Sequence, residues 1–238
     1  DQDNHVTGGV GLVEDITERR NMEDSIRSSL QEKETLLREL YHRTKNNMQV
    51  IISMLHMQTH MTENMDLKNI FFETINRIQA ISLVHEKLYQ SQNLSQIVMK
   101  NYVEELCILV INSYTLSNIQ LQVHPDIEEF PISIDIAIPC GIVINELLTN
   151  TLKHAFDENS TGDVSLRIKK HDNNIDIDYS DNGKGVPDRF NFRESDTIGL
   201  KSIIGIVEFQ LHGKVDFYSK NGFGCKITFS QDLYRQRI

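Results

Sequence analysis

Between Asn21 and Met61 the chain contains neither proline nor glycine, and its apolar positions recur at alternating steps of four and three residues. Ile26, Leu30, Leu37, Leu40, Ile51, Met54 and Met61 lie on this seam, with Lys33, Thr44, Asn47 and Gln58 at its remaining positions. Such spacing predicts one uninterrupted helix with a heptad stripe, on the order of 60 Å long. The polar run TENMD, Thr62 to Asp66, predicts a turn. Ile70, Ile75, Ile78, Ile81, Leu83, Val84 and Leu88 then give a second helix, from Leu67 to about Gln90, an apolar face. Two long helices joined by a short loop form an antiparallel hairpin. A hairpin cannot bury its stripe alone, and a second copy completes a four-helix bundle, so a homodimer is expected.

Beyond a polar linker, Ser91 to Gln96, the pattern changes. Ile97 to Ser113 reads as a helix, Ile119 to Val123 as a strand, Pro125 to Pro131 as an acidic loop, and Ile138 to Phe156 as a helix. Alternating strands follow at Val164 to Lys169 and Ile175 to Tyr179, around a DNN turn, and at Lys214 to Tyr218 and Lys226 to Ser230, around KNGFG. Helices and strands mix without strict alternation, which predicts an α+β fold. The expected division is 1–20, a strand-like tail leading into the first helix; 21–92, the dimerising hairpin; and 93–238, the α+β domain.

A length of 238 residues accommodates two modest domains. The formal net charge of −10 argues against a nucleic-acid partner, which calls for a basic surface. Cys107, Cys140 and Cys225 are widely spaced, without a C-x-x-C pair. They suit a reducing, cytoplasmic setting. No run is long enough to span a bilayer, so membrane attachment is expected only through regions outside this chain.

Five stretches carry candidate chemistry. In ELYHRTKNNMQV, Glu39 to Val50, His42 falls two positions past the seam residue Leu40 and shares an outer face with Asn46 one turn on. A histidine presented to solvent on a rigid helix is placed to be reached. In NELLTNTLKHAF, Glu146, Asn150, Lys153 and His154 fall on one helical face beside the apolar Ile142, Val143, Leu147, Leu148 and Leu152. An asparagine oxygen suits Mg²⁺ on triphosphate oxygens, Lys153 suits a phosphate, and Glu146 can take a proton from an imidazole. DNGKG, Asp181 to Gly185, follows a strand; Gly183 and Gly185 let backbone approach a flat ligand, and the Asp181 carboxylate can accept from an exocyclic amine. Gly199 and Leu200 open a helix whose N–H groups can meet phosphate, and GFGCKITF, Gly222 to Phe229, turns into a strand.

HRTKNNMQ resembles the phosphoacceptor box of two-component sensor histidine kinases, in the subgroup reading H-R-x-K-N-N that is related to the HWE kinases. That subgroup often has a second histidine just before the acceptor; Tyr41 stands there, leaving His42 as the candidate. The later stretches, in order, resemble the N, G1, G2 and G3 boxes of the GHKL (Bergerat-type) ATP-binding fold shared with gyrase, Hsp90 and MutL. The HWE relatives' W-x-E motif is missing, since the chain has no Trp, which sets it beside that group. GGVGLVEDIT and DITERR resemble the last strand of a PAS sensor domain and its exit helix. The resemblance implies ATP and Mg²⁺ as cofactors, with Asn150 holding the metal and Asp181 the adenine. It also implies a mobile lid over Val186 to Ile198, and transfer of phosphate from His42 to an aspartate on a response regulator receiver domain. Rival readings are another GHKL ATPase or serine-directed protein kinase, and a signalling scaffold that binds nucleotide without turnover. His56 and His60 have zinc-compatible spacing but no third ligand in sequence, and His85 is expected to pack within the hairpin.

Overall fold

Helix α1, Thr17–Met61, begins where Asp15 accepts the Thr17 N–H at 3.0 Å, and runs for 45 residues. The structure is a computed structural model and describes residues 14–91, 93–114, 119–157, 159–187, 190–194 and 197–232. The strand expected before α1 lies almost wholly outside them. Helix α2, Met65–Gln90, starts two residues before its sequence-based boundary because the Asn64 side chain caps it, accepting the N–H groups of Asp66 and Leu67.

The two helices form the expected hairpin, and α1 carries two stripes. Tyr41, Thr44, Met48, Ile52 and Leu55 are sheltered on the face that packs against α2. The apolar residues of the heptad seam lie on a different face, with Thr44 at the border of the two: Leu30, Leu37, Leu40, Ile51 and Met54 are between 41% and 57% exposed. This row of large apolar side chains, broken at the polar seam positions, lies in water.

The α+β unit is built on a five-stranded sheet. Its strands are β2, Gln120–Ile127; β4, Thr161–His171; β5, Asn174–Asp181; β6, Lys214–Ser219; and β7, Phe223–Ser230, in the order β2-β4-β5-β7-β6. The β2–β4 pair is parallel and the rest antiparallel. Along β4 and β5 burial alternates, so Val164, Leu166, Ile168, Ile175, Ile177 and Tyr179 point to one core. Helices α3, Met99–Ser113, α4, Ile134–Asn150, and α5, Ile198–Gly205, contribute Leu106, Val110, Ile144, Leu147, Leu148 and Ile203 to the same core. The three cysteines are buried there as free thiols, and burial pushes Cys107 up to about 12.

Three further differences from the sequence reading have a physical reason. Ile97 belongs to a short strand β1, Gln96–Val98, which pairs with β3, Pro131–Ser133. Three residues are too few to show a period. The expected acidic loop is shorter because β2 continues through Pro125 to Ile127, and an edge strand tolerates proline. Helix α4 begins at Ile134 and carries Pro139 inside it, giving up one backbone hydrogen bond. No helix among the described residues is long and apolar enough to cross a membrane.

Candidate functional site

Helix α4 does not end as an α-helix. Thr151–Ala155 continue it as one π-helical turn, a wider turn that re-aims side chains and often marks a site. The polar stripe read from sequence is divided between two neighbours. Asn150, Thr151 and His154 line a cavity of about 260 Å³, together with Asp181, Gly185, Val186, Phe190, Phe192, Thr197, Leu200 and Phe223. Lys153 instead turns to α2, where it pairs with Glu73. Glu146, whose side chain is 5% exposed, also faces α2: the Arg77 guanidinium grips both its oxygens, Nε to Oε1 at 2.6 Å and Nη2 to Oε2 at 3.0 Å. A forked, charge-assisted pair of this kind is among the strongest polar contacts available to side chains.

Asp181 sits at the end of β5, 6% exposed. Its Oδ1 accepts the N–H groups of Gly183 and Phe223 at 3.0 and 3.1 Å, and its Oδ2 accepts the Thr151 hydroxyl at 2.8 Å. Gly222 makes this possible. It holds φ +127°, and a Cβ there would stand 1.9 Å from the Asp181 carbonyl oxygen, so no other residue brings β7 this close. Gly183 packs against Ala155, and Gly185 takes φ +66° beside Ser219. Gly199, second residue of α5, lies over the end of α4; a Cβ there would come within 3.2 Å of both Asn150 Oδ1 and Glu146 Oε2. Four separate stretches of sequence thus converge on one cavity. His154 is exposed at its edge, where lost hydration and then the Lys153 and Lys184 charges hold the imidazole below its ordinary range.

His42 lies elsewhere, on the exposed side of α1. Its ring tilts against Tyr89 with centroids 5.6 Å apart, and the Asn46 amide is 3.4 Å from Nδ1. Lys45, beside it, pairs with Glu86 of α2 at 2.9 Å. His85 packs against Tyr41, centroids 5.8 Å apart, as expected for a residue internal to the hairpin.

Comparison with known proteins gives these two regions a common meaning. Residues 39–114 match the family described as histidine kinase, and residues 137–235 match the histidine kinase-, DNA gyrase B- and HSP90-like ATPases. The chain carries the core of a two-component sensor histidine kinase. It is 27% identical over 230 residues to the sensor histidine kinase PdtaS of Mycobacterium tuberculosis, covering 96% of this chain and 45% of that protein. It is 24% identical over 181 residues to the blue-light-activated histidine kinase 2 of Erythrobacter litoralis, covering 72% and 50%. The chain therefore spans about half the length of the curated relatives it matches. Among solved structures, the histidine kinase domain of a blue-light activated kinase from Erythrobacter litoralis shares the fold, with a TM-score of 0.61 at 17% identity over 86% of this chain and 97% of that one.

Within this histidine-kinase core, sequence spacing found Asn150, His154, Asp181, Gly185 and Leu200 at the cavity, and Gly199 against its wall. It missed Thr151, which reads as an ordinary helical threonine, and the aromatic wall. Phe192 stacks on Phe217 with centroids 5.1 Å apart and 21° between planes, and meets Phe190 edge-on, also at 5.1 Å. The alternation F-N-F over 190–192 was the available signal. Nothing local announced Arg77, because its i, i+4 neighbour Glu73 suggests a pair within α2, whereas its shorter bonds go 69 residues along the chain.

Proposed function

We propose that the chain transfers the γ-phosphoryl group of ATP to His42 and from there to an aspartate on a response regulator receiver domain. The observation that carries this reading is the cavity lined by both Asn150 and Asp181 within the ATPase-like segment, on a chain whose kinase-like hairpin presents an exposed histidine. In the step, an imidazole nitrogen forms the N–P bond, the bond from Pγ to the bridging oxygen breaks, and ADP leaves with that electron pair. The proton on the other ring nitrogen must go to a base. Glu146 is the proposed base. Asp181 takes the adenine amine; Gly183, Gly185, Gly199, Leu200 and His154 serve the nucleotide, and Lys153 joins them once its pair with Glu73 opens.

The donor set fits Mg²⁺. Asn150 offers a hard amide oxygen at the cavity, and such ions keep their remaining positions for water and phosphate oxygens. When bound, the metal neutralises charge on the phosphates. The residues' own part is to orient the nucleotide and exclude water, for which the Phe190–Phe192 wall is suited. Incubation with γ-labelled ATP tests the whole reading: the label should be lost in acid and kept in alkali. Acid-stable label would point to a hydroxyl acceptor and overturn it.

Asp181→Asn keeps an acceptor but removes the charge, so ATP should bind more weakly. GTP should bind the unaltered chain poorly, because guanine presents a carbonyl where adenine has its amine. Equal affinities for ATP and GTP in a titration would contradict the assignment.

The exposed seam of α1 supports a homodimer through residues 21–92. Light scattering at micromolar concentration should give twice the chain mass. Ile51→Asp or Met54→Asp would bury an unpaired charge in that interface and weaken the dimer by about 2 kcal/mol or more. A monomeric parent chain would overturn the assignment.

A further inference from the structure

Threonine inside a helix ordinarily turns its hydroxyl onto the carbonyl four residues back. Thr35, Thr44, Thr59 and Thr74 all do so, at 2.8 to 2.9 Å. Thr151 does not. Its proton goes to Asp181 Oδ2, and the carbonyl it would otherwise meet, that of Leu147, accepts from the Tyr179 hydroxyl at 3.2 Å. With its single proton committed to a carboxylate that only accepts, Thr151 must be the acceptor in its 2.7 Å contact with Tyr179, whose one proton is shared between Thr151 and the more distant Leu147 carbonyl. A directed chain results, from tyrosine to threonine to aspartate, through residues that are 0%, 2% and 6% exposed. Burial, with the Asp181 charge adding to it, holds the Tyr179 phenol well above its ordinary range, so it remains a donor.

A carboxylate offers about four acceptor sites. The backbone of Gly183 and Phe223 fills those of Oδ1, and Thr151 fills one on Oδ2. A single site remains, at a cavity that Asp181 and Thr151 both line. We propose that Thr151, backed by Tyr179, is a positioning residue for nucleobase selectivity: it pins Asp181 so that its one open site accepts a single N–H from an exocyclic amine. The inference rests on the reading of this cavity as an adenine site. It adds that recognition depends on a hydroxyl beneath the carboxylate as well as on the carboxylate.

The test compares ATP with purine riboside triphosphate, the same nucleotide without the 6-amino group, by equilibrium titration of the chain. The unaltered protein should prefer ATP by about tenfold, the worth of one hydrogen bond to a charged group. Thr151→Val replaces the hydroxyl with a methyl of like size. ATP should then weaken to near the affinity of the purine nucleotide, which itself should not change, and Thr151→Ser should restore most of the preference. A purely structural role weakens both nucleotides together and leaves their ratio intact; that result overturns the proposal. Should the valine variant fail to fold, as followed by thermal unfolding, the same ratio measured on Thr151→Ala decides. An unaltered protein that does not distinguish the two nucleotides overturns the adenine reading itself, and the present inference with it.

Discussion

His42→Gln is expected to leave no acid-labile phosphate on the chain after incubation with Mg-ATP. The amide nitrogen of glutamine has its lone pair delocalised into the carbonyl, whereas a neutral imidazole near pH 7 keeps a free one. Because the side chain is exposed on α1, the substitution removes no core contact and should leave the fold intact. ATP affinity should stay near that of the parent, since the residues around His42, namely Tyr41, Lys45, His85, Glu86, Tyr89 and Gln90, are all distinct from those lining the nucleotide cavity. Both quantities come from one preparation, by filter assay and by titration. Label that persists in the glutamine variant would move the acceptor to another residue.

Glu146→Gln should lower autophosphorylation at saturating ATP by at least about a hundredfold, the lower end of what a general base contributes. ATP affinity should change little, because Glu146 is absent from the cavity lining. The geometry makes this a sharp test. With Arg77 on both oxygens, the carboxylate is blocked as a base until that pair opens. If the only task of Glu146 were to hold the α+β unit against α2, loss of its charge would loosen that contact, and the rate would stay level or rise. Opposite signs therefore separate the two roles. Should affinity fall while the saturated rate holds, Glu146 would belong to nucleotide binding.

What could be read in the sequence follows from the range of each interaction. The hairpin was legible because a helix repeats its pattern over many turns, and the second stripe of α1 survived interruptions at Lys33, Thr44, Asn47 and Gln58. The strands were legible because Val164, Leu166 and Ile168 alternate with polar neighbours. Asp181 was legible because DNGKG sets a carboxylate at the end of a strand, just ahead of two glycines. By contrast, counting along the helix from Glu146 puts Asn150, Lys153 and His154 on its face, whereas only Asn150 and His154 meet at the cavity and Glu146 turns to Arg77. The turn after Asn150 has π pitch, and Lys153 within it pairs with Glu73. Partners across 69 residues, as in Arg77–Glu146, and the unusual aim of the Thr151 hydroxyl have no local pattern at all.

That widened turn has a thermodynamic corollary. One stretch of eight residues, Glu146 to Lys153, meets the hairpin through its two charged ends, while Asn150 and Thr151 between them meet the cavity. Two binding events that share so short a segment are coupled, and coupling free energies are reciprocal. Any factor by which bound nucleotide loosens the grip of α2 must return as the same factor by which that grip weakens nucleotide. The ATP affinity of the intact chain, set against that of a chain with Arg77 and Glu73 neutralised, is therefore a direct gauge of how far the hairpin holds its own kinase domain in check.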